Sequence, residues 1–200
     1  MTEIIVPDNA ELLIDSLGAP SLTQVNRSAW TRRRKVIGLG GSEMWRATVR
    51  VDLLATEDKE RPWRAFLFNL KGPQNWFKLM LPPNSHYGAR PTVASGAGNG
   101  YTLPLTGLAP NARILRAGDF MTVPLPSGHA RAVSLAADLR ADGSGDASAQ
   151  LSQALNETPT TGATVETAAP YIPVAPTDPL QGFDYAQGVS GFSFSVEEAL

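Results

Sequence analysis

The apolar period of the chain changes partway through residues 57–82. From Arg61 to Leu70, Trp63, Phe66, Leu67 and Leu70 recur at i, i+3, i+4 and i+7, one face of an α-helix, which the pattern places near 59–71. Pro62 suits a first helical turn, the acids Glu57, Asp58 and Glu60 favour the dipole's N-terminal end, and Gly72-Pro73 closes the segment. Trp76 to Leu81 then reads as a strand. Upstream, Met44 to Leu54 alternates, with Trp45, Ala47, Val49, Val51 and Leu53 on one side and Arg46, Thr48, Arg50 and Asp52 on the other. That is a half-buried strand. Residues 1 to 20 read as a loose arm with one short strand near Glu11 to Ile14. Leu22 to Ser28 and Thr31 to Leu39 read as a strand pair, and Gly38 to Ser42 as the turn after it. A single short helix on a β-rich chain needs a sheet to cover, so it is expected as the lid of a β-sandwich.

At Pro82-Pro83-Asn84 the character shifts to Gly, Ala, Ser, Pro and Asn, which marks a domain boundary. Short strands are expected at Tyr101–Leu105, Asp119–Val123, Ala130–Leu139, Asp146–Leu151 and Ala163–Thr167, with Ala141 to Gly145 as a hairpin connection. Such spacing suggests a small barrel or sandwich. Pro170 to Pro179 reads as a stiff connector, and Gly188 to Glu198 as a strand that pairs with the first-half sheet. The expected division is therefore one domain of residues 1–84 and 179–200 and an inserted domain of residues 85–178.

Two hundred residues can bury a core without staples. Cysteine is absent, which excludes disulfides, thiolate metal sites and cysteine nucleophiles, and fits a reducing cytoplasm. The first eighteen residues carry Glu3, Asp8, Glu11 and Asp15 without a basic region, so no signal peptide is expected, and no apolar run approaches membrane-spanning length. Charge is divided unevenly. Residues 1–84 hold twelve Lys and Arg against nine acids, whereas 85–200 hold five Arg against ten acids, with no basic residue after Arg140. Such asymmetry favours head-to-tail self-association or repels nucleic acid; two β domains of different surface composition would also produce it.

Candidate chemistry is sparse. Gly38-Leu39-Gly40-Gly41 lacks the spacing, the Lys and the helix of a phosphate loop, and Gly188 to Gly191 is not a nucleophile elbow. Ser127, Gly128 and His129 form a turn rather than a triad. His86 and His129, the only histidines, fall in loops. Asp138, Asp142 and Asp146 do not match the ligand positions of a calcium loop and read as a solvated turn. Catalytic residues, metal sites and cofactors are accordingly all expected to be none. Arg32, Arg33, Arg34 and Lys35, with Arg27, Arg46 and Arg50, form the one conspicuous basic group. In a strand Arg32 and Arg34 would oppose Arg33 and Lys35, so at least one pair must face a partner or the sheet rim. Protein contact is favoured over nucleic acid, because the net charge is −2 and aromatic residues are not interleaved with the basic ones. A charged edge strand that resists aggregation is the plain alternative. Trp30, Trp45, Trp63 and Trp76 read as core and interface anchors.

The ordered set of a strand pair, Met44-Trp-Arg-Ala-Thr-Val-Arg-Val51, Arg61-Pro-Trp-Arg-Ala-Phe-Leu-Phe-Asn-Leu-Lys-Gly72, Trp76-Phe-Lys-Leu79 and the terminal Gly191-Phe-Ser-Phe-Ser-Val-Glu-Glu-Ala-Leu200 resembles the distal tail proteins of long-tailed bacteriophages and prophages. Leu115 to Phe120, the Asp138 to Asp146 turn, Leu155 to Pro159 and Gly162 to Val165 are similar to a segment found in phage tail proteins. The likeness runs over about residues 20 to 200. It implies a mainly β chain: a tail-tube-type β-sandwich with one flanking α-helix and an inserted small β-barrel of OB-like type. It also implies a homohexameric ring at the tail tip of the virion, made in the host cytoplasm, joining the tail tube protein to the tail hub protein and other tip proteins and leaving a channel for DNA. Under it, Arg32 to Lys35 contact a neighbouring subunit or the adjoining ring, with no sequence-specific nucleic-acid binding and no membrane insertion. Two other classes stand beside it: a carbohydrate-binding module using the inserted barrel, and a hydrolase, which would need a converging carboxylate pair.

Overall fold

Alternation in β4 (Arg46–Leu54) decides the first sheet. Ala47, Val49 and Val51 are buried while Arg46, Thr48, Arg50 and Asp52 stay at least partly in solvent, so the strand has one dry and one wet face. The structure, a computed structural model, describes all residues except 21–22, 39–42, 86–88, 97–99, 180–183, 187–188 and 200. It is mainly β, with 42% of residues in strands and a single α-helix among the described residues. The chain divides into two compact units, the first made of Met1–Gly18, Trp45–Met80 and Tyr171–Leu200, the second of Ala19–Met44 and Leu81–Pro170.

In the first unit, β1 (Leu13–Gly18), β4, β15 (Val189–Glu198), β13 (Tyr171–Pro176) and β5 (Phe77–Met80) lie in that spatial order, all antiparallel, and β14 (Asp184–Ala186) also pairs with β15. Helix α1 (Glu57–Leu70) packs on the dry face through Trp63, Phe66, Leu67 and Leu70, each no more than 3% exposed. Its aromatic rings meet those of the sheet, Trp63 on Phe192 at 5.7 Å and Phe66 edge-on to Phe77 at 5.3 Å. Each such side chain contributes about 1.5–3 kcal/mol of burial. The lid expected from the helical period thus covers the sheet directly.

Several expectations shift. The helix begins at Glu57, so Pro62 falls in its second turn. Lys71 (φ 51°) ends the helix, and Gly72 (φ 63°) follows with its α-carbon so close to Pro179 that a Cβ would lie 2.8 Å from the Pro179 Cα. The opening residues are not a loose arm: Trp76 N donates to Thr2 O at 3.1 Å, Ile4 N donates to Trp76 O at 2.8 Å, and β1 joins the sheet. Nor is Pro170 to Pro179 a connector, because β13 runs through it. Ala199 N donates to Pro173 O and Thr177 N donates to Ser195 O, so by alternation Pro173 sits at the end of the β15 pairing and Pro176 turns its nitrogen away from β15, past the last β5 partner, Val174. Neither missing N–H interrupts the ladder.

The second unit holds β2 (Thr23–Arg27), β3 (Arg34–Gly38), β6 (Thr92–Val93), β7 (Thr102–Thr106), β8 (Arg113–Leu115), β9 (Phe120–Pro124), β10 (Ala130–Ser134), β11 (Leu139–Arg140) and β12 (Ala147–Gln150). Leu103, Leu105, Met121, Val123, Val133, Leu135 and Leu139 fill its core. The turn from Ala141 to Gly145 does not close a hairpin, since β11 pairs with β8 and β12 with β7. Ala163 to Thr167 contributes only single bridges, Thr164 to Thr92 and Glu166 to Thr122. Residues 19–44, expected with the first sheet, group with this unit.

Candidate functional site

β2 and β3 form an antiparallel ribbon in which Arg27 faces Arg34, Asn26 faces Lys35, Val25 faces Val36 and Gln24 faces Ile37. Every residue from Thr23 to Gly38 is exposed, on both faces of the ribbon. Arg32 and Arg33 lie in the tip rather than in β3, so strand alternation separates only Arg34 from Lys35. The tip is well tied: Arg32 N donates to Ser28 O at 2.9 Å, Ser28 N to Arg33 O at 3.0 Å and Thr31 N to Ser28 Oγ at 3.1 Å. Arg32 takes a φ of 54° there. Trp30, carried on this tip, is 97% exposed, whereas Trp63 is fully buried and Trp45 is 5% exposed.

The β2–β3 ribbon forms an arm, residues 23–38, that is rooted in its own unit. Arg131 on β10, with no exposed surface, donates from Nε to Ala154 O at 2.7 Å and from a terminal nitrogen to Glu43 O at 2.5 Å. The Tyr101 hydroxyl donates to Glu43 Oε1 at 3.2 Å. A buried guanidinium therefore grips the carbonyl where the ribbon returns to the body of the second unit.

Electrostatically the arm is one-signed. No acid occurs between Asp15 and Glu43, while Arg27, Arg32, Arg33, Arg34 and Lys35 fall in that interval. None of these five has an ion-pair partner among the described residues. Arg46 and Arg50 belong to another surface, the wet face of the first unit's sheet, where Arg46 pairs with Glu197 at 3.7 Å and Arg50 with Asp15 and Asp52. The hydrogen bond to Asp15, together with the charges of Asp15 and Asp52, raises the Arg50 pKa above its usual value.

The remaining candidates do not converge. Asp138 Oδ1 accepts from Ala117 N at 3.0 Å, and its Oδ2 lies 3.7 Å from both Arg113 and Arg140; the amide first, then the guanidinium charges, lower its pKa. Asp142 Oδ1 accepts from Asp146 N at 3.0 Å and Ser144 N at 2.8 Å, and these amides lower its pKa. Beside this turn an open groove of about 960 Å³ runs between Thr92–Ser95, Pro104–Thr106 and Asp146–Ser148. His129 and Ser127 are exposed in the turn around Gly128, and His86 lies outside the described residues, as do Leu39 to Ser42. Among the described residues no group of three or more His, Asp or Glu could hold a metal ion, and no helix is long and apolar enough to cross a membrane. No protein-family model and no curated protein matches the chain.

Sequence reading singled out Arg32 to Lys35 but not Trp30. A Ser-Ala-Trp-Thr turn, with no apolar partner at helical or strand spacing, is the signal that sets Trp30 apart from the three tryptophans on other elements.

Proposed function

We propose that this chain is a structural virion protein of the distal-tail type, which assembles into a six-fold ring between the tail tube and the hub and receptor-binding parts. The observation that carries the reading is the arm. A two-stranded ribbon with no buried residue is marginal in water, and a cross-strand pair of like charges, Arg27 against Arg34, weakens it further. An acid-free ribbon ending in an exposed tryptophan has little to offer the single chain and much to offer a partner. In this reading the first unit is a tail-tube-type β-sandwich domain, the second an OB-like barrel, and Arg32, Arg33, Arg34 and Lys35 are contact residues. The groove beside Asp142 has no aromatic side chain in its described lining, so a sugar would find no stacking platform there.

Light scattering with negative-stain imaging tests the reading. Closed rings of six times the 21.3 kDa chain mass, with a central hole, are expected. Reversing the charge of Arg32, Arg33, Arg34 and Lys35 to Glu should abolish them. Rings that form unchanged with all four reversed would count against these residues as contacts, and a chain that stays monomeric at every concentration would count against self-assembly.

A further inference from the structure

The two halves of the chain's charge are laid out as complements. Residues 16–42 contain five cations and no acid, whereas residues 141–200 contain eight acids and no cation. In the second unit that acidic half surfaces at the turn holding Asp142 and Asp146, both exposed, on the lip of the open groove. Arg140 also borders this groove but lies toward Asp138, 3.7 Å from its Oδ2.

Resting on the assembly reading above, we infer that the arm of one copy docks in this groove on the next copy, with Trp30 as its anchor and Arg27 and Arg34 against the Asp142–Asp146 lip. Three features support that occupant. The hydrogen-bonded tip already holds Trp30 outward, so docking costs little ordering. The groove walls, with Ala94, Pro104 and Ala147 among threonines and serines, offer small side chains against which an indole can pack. Charge neutralisation relieves the Arg27–Arg34 repulsion that the single chain leaves in place. Arm and groove are different surfaces of one unit, so the contact is head-to-tail. Repeated in one sense, it closes a ring or runs on as a filament; exchanged reciprocally between only two copies, it would close a two-fold dimer, which light scattering separates from a ring by mass.

A charge-swap pair tests this. One variant carries Arg27→Glu and Arg34→Glu; the other carries Asp146→Lys and Ser148→Lys, which leaves the Asp142 turn bonds in place. Each alone should lose self-association at least tenfold by light scattering, with thermal unfolding unchanged. Mixed in equal amounts they should associate again, because each reversed arm meets a reversed groove in an alternating ring. In wild-type assemblies, acrylamide quenching of the red-shifted Trp30 emission should fall, and Trp30→Ala should weaken association at least tenfold.

A mixture that stays dispersed, a groove variant that assembles like wild type, or a Trp30 that remains open to quencher in rings each overturns the docking while leaving the ring reading standing. A wild-type chain that does not self-associate overturns both. Capture of duplex DNA by the arm, with ring formation untouched by the arm variant, also overturns it and reassigns the arm to a polyanion.

Discussion

At single positions the structure is least forgiving where backbone meets backbone. Gly145 takes a φ of 84°, and a Cβ on it would lie 2.5 Å from Leu108 O. Leu108 N also donates to Gly145 O at 3.0 Å, so the two segments cannot separate without losing that bond. Gly145→Ala should therefore destabilise the protein by roughly 2–3 kcal/mol, combining a strained φ with a forced shift, and a lowered chemical-denaturation midpoint at unchanged slope would record it. Trp30 is the opposite case: with 97% of its surface exposed, its truncation should change monomer stability by less than about 0.5 kcal/mol. The contrast between Trp30 and Trp63 could not be told from residue type. Both are tryptophans near basic residues, but Trp63 shares a helical stripe with Phe66, Leu67 and Leu70, while Trp30 stands in a tip of small polar neighbours.

Among elements, the turn after β11 carries a pH signature. Backbone amides of Asp146 and Ser144 hold the Asp142 carboxylate and lower its pKa. A depressed native pKa means that the contribution is fully present above the ordinary aspartate value of 3.8 and is lost as the pH falls through the lower native value. Protection of the Ser144 and Asp146 amides, measured against intrinsic exchange at the same pH, should thus fall below that range, and Asp142→Asn should remove this pH dependence of the protection while retaining part of it. The elements also show what a sequence can disclose. α1 and β4 were legible because their faces differ: an apolar stripe of period 3.6 in one, strict alternation in the other. β15 was legible as a strand for the same reason; its pairing with the first-half sheet was expected because so short a segment needs a host, and that pairing holds although the connector taken to precede it contains β13. β6 and β8, two and three residues long, carry too few positions to show a period. β13 was hidden by prolines that sit where the ladder does not use their nitrogens. Of the arm, the strands and charges were readable but the exposure of its strands was not, since Val25 and Val36, opposite each other in the register, look like the inner face of a covered sheet.

For the molecule as a whole, charge layout governs the expected behaviour. Docking between arm and groove relies on rim charges, which salt screens over about 10 Å at 0.1 M. Association measured by light scattering should weaken steadily from low to high salt, while the unfolding midpoint of the second unit, whose core is Leu103, Leu105, Met121, Val123 and Val133, should barely move. A salt-insensitive assembly would point to an apolar interface instead. The way the first unit is threaded has one more outcome, in the order of its making. Its central strand β15 lies between β4 and β13, yet it is translated only after the whole second unit. At ordinary elongation speeds β4 therefore waits on the order of ten seconds on the ribosome with that side of its backbone unpaired. During this interval the nascent chain presents a sticky strand edge to its neighbours, so recombinant yield should fall when elongation is slowed and rise with chaperones that shield the edge until β15 emerges.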